Sequence, residues 1–424
     1  MKDVRRQGTS SRINSPLLLV LLTVMFSVRV VAAVPDPVLQ WISIMNTTVL
    51  AGGTNPLATT RVVALVSGSM FDAVNGIDPR FAPLHVTTEA PASASQRAAA
   101  VQAAFVMLVK LYPAQSGALK AQRDASIAAI AAQESAASVT AGVQWGQRVA
   151  SAFWGWRLSD GLSPEPPPFR GVESLAGTPA AVGAWRPTPP FNASGAAPQF
   201  ASMTPWVIIR PSQFRLPPPL ALSSAEYLAD YNEVRTMGVF DGSGRSSDQS
   251  ELALFWAGNT PLYWNRIALQ IAAARSLTLS QNAHLFALMN VAIADAGIAC
   301  WDSKYRYVFW RPITAIRDPG SVNSDAAWIP WLPGTPAHPE YPSGHSTVSG
   351  AAAFILSQKF GDSTAFTVTS DVRPGTRSFP SFSAAVAEIA DARVFGGIHY
   401  RTSCARGNLL GQSVGHYVLV HAMR

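Results

Sequence analysis

The chain has 424 residues, of which 48% are hydrophobic and only 13% charged, with a formal net charge of +7. That length can bury a large core, either as two or three domains of about 150 residues or as one large helical body. Five basic residues and one acid fall in residues 1–33; the rest carries about +3, with no basic run interleaved with aromatics, which excludes a nucleic-acid surface as the organising function.

Taken from the N-terminus, Lys2, Arg5, Arg6 and Arg12 precede an apolar stretch at 16–28, and Val31-Ala32-Ala33 offers small residues for cleavage before Val34. Residues 1–33 read as a secretory signal, with an uncleaved anchor as the alternative, and point to a periplasmic or secreted protein. No later segment holds about 18 uninterrupted apolar residues, so no integral membrane span is expected after cleavage. Residues 38–78 are expected to be helical: Val62, Leu65, Val66, Met70, Ala73 and Val74 share a face, and Pro79 closes the run. Ala-rich helices follow over 90–112 and 116–158, broken at Tyr112-Pro113.

Residues 159–220 change character. Pro164, Pro166 to Pro168, Pro179, Pro187, Pro189, Pro190 and Pro217 to Pro219 forbid long helices. Phe169, Trp185, Phe191, Phe200 and Trp206 predict a loop packed on the protein, as a crossover or as the wall of a substrate entrance. With the preceding helices this loop completes an N-terminal region, 34–222.

In the C-terminal region, 223–424, Ser223 and Glu226 predict a capping box. Helices are expected over 247–257, 264–276, 280–307, 343–360, 381–395 and 403–423. There is no alternating strand pattern and no fixed repeat. The expected fold class is all-α, a helical bundle with a long Pro-rich wrapping loop. Cys300 and Cys404 are the only cysteines, and they either pair across the outer shell of the site or stay buried as thiols. Asn46 and Asn192 head sequons that matter only in a host that glycosylates its exports.

Three segments carry chemistry. In the first, Lys304 and Arg311 stand seven apart on the expected helix, two turns, and project from one face beside Trp301 and Trp310. Only Lys110, Lys120, Lys304 and Lys359 remain after residue 33, so a lysine among aromatics suggests an anion site rather than a solvated charge. In the second, Pro342-Ser343-Gly344-His345 opens a helix whose outward N–H groups, with no side chain on Gly344, form an anion cradle. In the third, a helix ends near Phe395, Gly396-Gly397 turns the chain, and Arg393 and His399 flank the turn. Each segment alone also reads as ordinary structure: solvated charges, a capped helix, a surface histidine. Together they supply three cations, a hydroxyl, a backbone donor and two imidazoles. That set can neutralise three equatorial oxygens of a pentacoordinate centre, bond it with one imidazole and exchange a proton with the other.

These motifs, Lys304-x6-Arg311-Pro312, Pro342-Ser343-Gly344-His345 and Arg393-x5-His399, resemble the vanadium-dependent haloperoxidase and type-2 phosphatidic acid phosphatase superfamily, in particular its exported haloperoxidase-related branch. The resemblance runs from about Trp256 to His399 and extends weakly to the helix at 61–78. It implies a haloperoxidase/acid-phosphatase-like bundle in which His399 ligates vanadate, or is the phosphorylated nucleophile of a phosphatase, and His345 is the acid–base histidine. Lys304, Arg311, Ser343, Gly344 and Arg393 would hold the oxygens, with phosphate able to take the same site. Trp301 matches a site-lining Trp of the chloroperoxidase branch. His338 falls where bromoperoxidases carry His, which favours bromide. The phosphatase pattern continues His-x3-Asp, whereas this chain has Ser403, which leaves His399 without an evident carboxylate; Asp295, Asp302 and Asp391 could substitute, and the sequence does not choose among them.

The expected function is a vanadate-dependent haloperoxidase that uses hydrogen peroxide to oxidise a halide to hypohalous acid. The alternatives are an exported acid phosphatase that hydrolyses phosphate esters through a phosphohistidine, and a non-catalytic oxyanion-binding protein.

Overall fold

The computed structural model describes residues 36–171 and 181–424, so the signal reading at 1–33 lies outside the described residues. The described residues open with two helices where the sequence pattern suggests one: α1 (Pro37–Ala51) and α2 (Pro56–Asn75). Gly52-Gly53 ends the first, and Asn55, held extended ahead of Pro56, caps the second by accepting the Ala58 N–H at 2.9 Å. Next come α3 (Gln96–Leu111), α4 (Ser116–Ala131) and α5 (Ala136–Arg157), with the expected break at Tyr112-Pro113.

After the loop, α6 (Ala225–Met237), α7 (Ser247–Phe255), α8 (Thr260–Ala274), α9 (Leu279–Tyr307) and the short α10 (Pro312–Arg317) follow in order. The cap of α6 is Ser224, one residue later than expected: its Oγ accepts the Tyr227 N–H at 3.1 Å. Helix α8 begins four residues before the expected Trp264, because Pro261 sits in the first turn, where a missing N–H costs nothing. The chain ends with α11 (Gly344–Phe360), α12 (Phe382–Phe395) and α13 (Arg401–His421). Between α11 and α12 a short antiparallel hairpin, β1 (Phe366–Thr369) and β2 (Thr376–Phe379), departs from the strand-free expectation. Each strand has only four residues, too few to write an alternation in the sequence.

Helix α9 is the axis of the molecule: it packs along α2, α11 and α13, and nearly all of it from Leu285 to Lys304 is buried. Helices α2 and α9 are long and apolar enough to cross a membrane by length and composition, but 94% of each candidate window is buried by the rest of the molecule. Because α2 lies on α9, the 34–222 and 223–424 regions share one core, and Pro35–Arg424 is one compact unit. Close approaches depend on small residues. A Cβ on Gly411 of α13 would overlap the Thr347 carbonyl oxygen of α11, and one on Gly146 of α5 would overlap the Ala99 carbonyl oxygen of α3.

The Pro-rich loop is pinned to the bundle. Trp185, Phe200 and Trp206 are buried, Phe169 stacks on Trp185, and the Trp185 N–H donates to Val308 O at 2.7 Å. Phe191 does not pack as expected; it is 77% exposed. Asp295, fully buried on α9, accepts the backbone N–H groups of Trp206, Val207 and Ile208 at 2.6, 2.8 and 2.9 Å. Asp295→Asn places an amide NH2 against N–H donors, so a loss of about 2–4 kcal/mol is expected, checked by thermal unfolding. A melting temperature equal to wild type would remove that anchor from the account. Asn46 is buried on α1, which closes its sequon in the folded chain, whereas Asn192 is exposed.

Candidate active site

Helix α9 brings Trp301 and Lys304 to its last turns and stops at Tyr307. Val308 adopts a left-handed conformation (φ 48°) and donates its N–H to Lys304 O at 2.8 Å. Lys304 and Arg311 are therefore not on one helix face: Arg311 lies beyond the turn, as the extended residue that caps α10. The turn brings both cations onto the same segment, residues 336–340. Lys304 Nζ donates to Pro339 O at 2.8 Å and Glu340 O at 2.9 Å. Arg311 donates through Nε to His338 O at 2.9 Å, through Nη1 to Ile398 O at 2.8 Å, and through Nη2 to Pro336 O at 3.1 Å. The third cation, Arg393, comes from the last turn of α12; its Nη1 donates to Trp256 O at 3.2 Å, while its Nε is buried without a hydrogen-bond partner.

Gly397 turns the chain between α12 and His399 at φ 76°, so close to the Gly238 carbonyl that a side chain would not fit. His399 follows, 2% exposed. Its Nε2 lies 3.2 Å from Arg311 Nη1, which can only donate, so Nε2 is an acceptor and the proton resides on Nδ1. Nδ1 donates to Glu340 Oε1 at 2.8 Å. The Nε2 lone pair is thus the one His399 presents, as a ligand or a nucleophile requires.

Ser343 caps α11, its Oγ accepting the Ser346 N–H at 3.4 Å, and its own N–H reaches Ser403 O at 3.1 Å. Gly344 packs so near Trp301 that a Cβ there would rest on the indole, and it is partly exposed, as is His345. His345 Nε2 sits 3.3 Å from Gly258 O, an acceptor only, which leaves Nδ1 as its basic nitrogen. His338 packs on Trp301, ring centroids 4.9 Å apart, with its Nδ1 3.0 Å from Arg311 Nη2.

These groups act on one another electrostatically. Burial first, then the positive charges of Arg311, Lys304 and Arg393, holds His399 well below the ordinary imidazole range. Burial and the same three cations, Arg393 foremost, do the same to His345. Both rings are neutral at physiological pH. Burial also pulls Lys304, Arg311 and Arg393 below their ordinary values and pushes the Glu340 carboxyl up. Three buried cations against one buried carboxylate leave an excess of positive charge in low dielectric, a strongly unfavourable arrangement unless an anion joins it. Among the described residues no cluster of three His, Cys, Asp or Glu side chains is placed to hold a metal cation. The donor set, including the partnerless Arg393 Nε, fits an oxyanion of phosphate or vanadate type.

Arg311 lies within hydrogen-bond distance of both His338 and His399, Trp301 packs on His338 and beneath Lys304, and the charge of Arg393 acts on both His345 and His399. The acids proposed for His399 are elsewhere: Asp295 holds the Pro-rich loop, Asp302 pairs with Arg215 at 2.6 Å, and Asp391 pairs with Arg401. The residue missed is Glu340. It is the only acid between Asp325 and Asp362, set between His338 and the Pro-Ser-Gly-His motif, and that isolation was a readable sign. Ser403 Oγ donates to its other oxygen, Oε2, at 2.6 Å. Cys300 and Cys404 are free buried thiols, not a bridge.

Comparison with known proteins agrees with the geometry. Residues 284–424 match the family model described as the second helical-bundle domain of vanadium chloroperoxidase. The vanadium chloroperoxidase of Curvularia inaequalis is 29% identical over 31% of this chain and 26% of its own length, so the match spans about a quarter of that relative. The crystal structure of a bacterial vanadium-dependent iodoperoxidase superposes with a TM-score of 0.79 at 27% identity, covering 91% of this chain and 96% of that one. A holo-type bacterial vanadium-dependent chloroperoxidase shares the fold, with a TM-score of 0.68 at 18% identity over 86% of this chain and 91% of its own.

Proposed function

Because this chain belongs to the vanadium haloperoxidase superfamily, we propose that it is a vanadate-dependent haloperoxidase that uses hydrogen peroxide to oxidise halide, bromide by preference, to hypohalous acid. The observation that carries this reading is His399, with Nδ1 committed to Glu340, its Nε2 lone pair facing the buried Arg311, and Lys304 and Arg393 near enough for their charges to act on the ring. Lys304, Arg311 and Arg393 would balance the charge on the equatorial oxygens, with Ser343 and the Gly344 N–H at the helix terminus. When bound, vanadate supplies a Lewis-acidic centre that activates peroxide without changing its own oxidation state. His345, neutral and partly open to solvent, would take and return the proton through Nδ1. The bromide preference rests on His338, seated on Trp301 at the site. The export reading rests on residues 1–33 alone.

One observation favours a second reading. Ser403 argued against a phosphatase because it removed the carboxylate beside His399, yet Glu340 supplies one. A phosphohistidine route, with His399 attacking and His345 protonating the leaving oxygen, has the groups it needs.

Protein stripped of oxyanions separates the two. It would be assayed with and without orthovanadate for peroxide-dependent bromination and iodination, and for phosphate-ester hydrolysis, with His399→Ala as control. The expected result is halogenation that appears only with orthovanadate and is lost in the variant. Hydrolysis without vanadate, inhibited by adding it, would establish the phosphatase instead.

A further inference from the structure

Glu340 is fixed at every polar atom. Its N–H donates to Phe309 O at 2.9 Å, and its carbonyl accepts Lys304 Nζ at 2.9 Å. Oε1 accepts the His399 Nδ1–H at 2.8 Å and the Tyr400 N–H at 3.0 Å, and Oε2 accepts the Ser403 hydroxyl at 2.6 Å. The residue is fully buried. A buried carboxylate is costly unless its lone pairs are met, and here three donors meet them, one of them the imidazole whose opposite nitrogen faces the cations. The backbone of this residue therefore sets Lys304, and its side chain sets His399.

We infer that Glu340, steered by Ser403, is the positioning carboxylate of His399, holding the ring in its Nδ1–H form and strengthening Nε2 as a donor to the bound oxyanion's central atom. The function belongs to the point in space and not to position 340: Ser403 Oγ lies 2.6 Å from Oε2, so a carboxylate carried on residue 403 reaches the same place. This inference rests on the haloperoxidase reading for its ligand, but the orientation of His399 is independent of it.

The two anions separate basicity from charge. Glu340→Gln can keep the hydrogen bonds, with Oε1 toward His399 and the amide toward Ser403, while removing one negative charge. Orthovanadate, bonded through Nε2, is then expected to bind about 10–100-fold more weakly by titration calorimetry. Inorganic phosphate, held by charge and hydrogen bonds without a bond from Nε2 to its central atom, is expected to bind as tightly as before or more tightly. In E340S/S403D the carboxylate returns from the other side, and orthovanadate affinity should recover to within about tenfold of wild type. Unchanged orthovanadate affinity in E340Q, or equal loss of both anions, would overturn the inference, as would a folded swap variant without recovery. If the swap variant does not fold, the split between the anions in E340Q decides. Should the wild-type chain bind phosphate but not vanadate, the haloperoxidase reading fails alone; selective ¹⁵N-histidine spectra then test this inference, and an Nε2–H tautomer at His399 overturns it.

Discussion

Gly411→Val is expected to cost the bundle at least about 5 kcal/mol, enough to abolish a cooperative melt or shift it down by many degrees. The reason is backbone, not side-chain, crowding. Among the described residues, helices α11 and α13 make the most extensive helix pair, and at Gly411 an added Cβ would meet the Thr347 carbonyl oxygen and, at 2.7 Å, the Ala351 nitrogen. Neither atom can rotate away, so α13 must lift off. One turn before Gly411, a Cβ built on Gly407 would lie 2.7 Å from the Ser343 carbonyl oxygen, so the displacement reaches the residue that caps α11 and the His345 that follows it. Gly155→Ala is the matched control: it lies in α5 with nothing within 4 Å of its Cβ position, and is expected to be neutral or to stabilise by about 0.5–1 kcal/mol. Circular dichroism melts of both variants check the pair. A Gly411→Val protein melting within a few degrees of wild type would show that the helix contact yields.

The features that were legible in the sequence are those whose cause is local. Pro342-Ser343 stops one segment and caps the next, and Gly396-Gly397 makes a turn, so both histidine motifs announce their conformation within a few residues. Lys304 and Arg311 do converge on one segment, but not by sharing a helix face. The helix end at 307 is expected, but Val308 is β-branched and unsuited to φ 48°, and nothing nearby in sequence marks a left-handed turn there. Its cause is tertiary: the Val308 carbonyl accepts from Trp185, in a loop more than a hundred residues earlier. Glu340 escaped for a similar reason. The position four after His399 holds Ser403, and Asp295, Asp302 and Asp391 are the candidates the sequence offers in its place, whereas the fold delivers the carboxylate from 59 positions upstream, onto the Ser403 hydroxyl and the Tyr400 N–H. Phe191 is the reverse case: an aromatic residue in a Pro-rich loop is expected to pack, and it lies in solvent.

His345→Ala is expected to lower kcat for vanadate-dependent halogenation about 1000-fold, roughly 4 kcal/mol of barrier, while leaving orthovanadate affinity within a few fold. The asymmetry follows from what each histidine touches. His399 lies between Glu340 and Arg311, and removing it strips the lone pair from the centre and exposes a buried carboxylate to three cations. His345 has one contact at hydrogen-bond distance, Gly258 O at 3.3 Å, and stands partly open on the first turn of α11. Its loss leaves no buried charge unpaired and no cation displaced, so the ground state keeps its anion. What disappears is a neutral imidazole whose Nδ1 is free to accept a proton. Burial and the cations hold that ring well below its ordinary pKa, so it is unprotonated before an anionic ligand arrives. Steady-state kinetics beside orthovanadate calorimetry on His345→Ala and His399→Ala distinguish the roles. If His345→Ala loses binding as completely as His399→Ala, the two rings act as a pair of ligands and the proton must travel by another group.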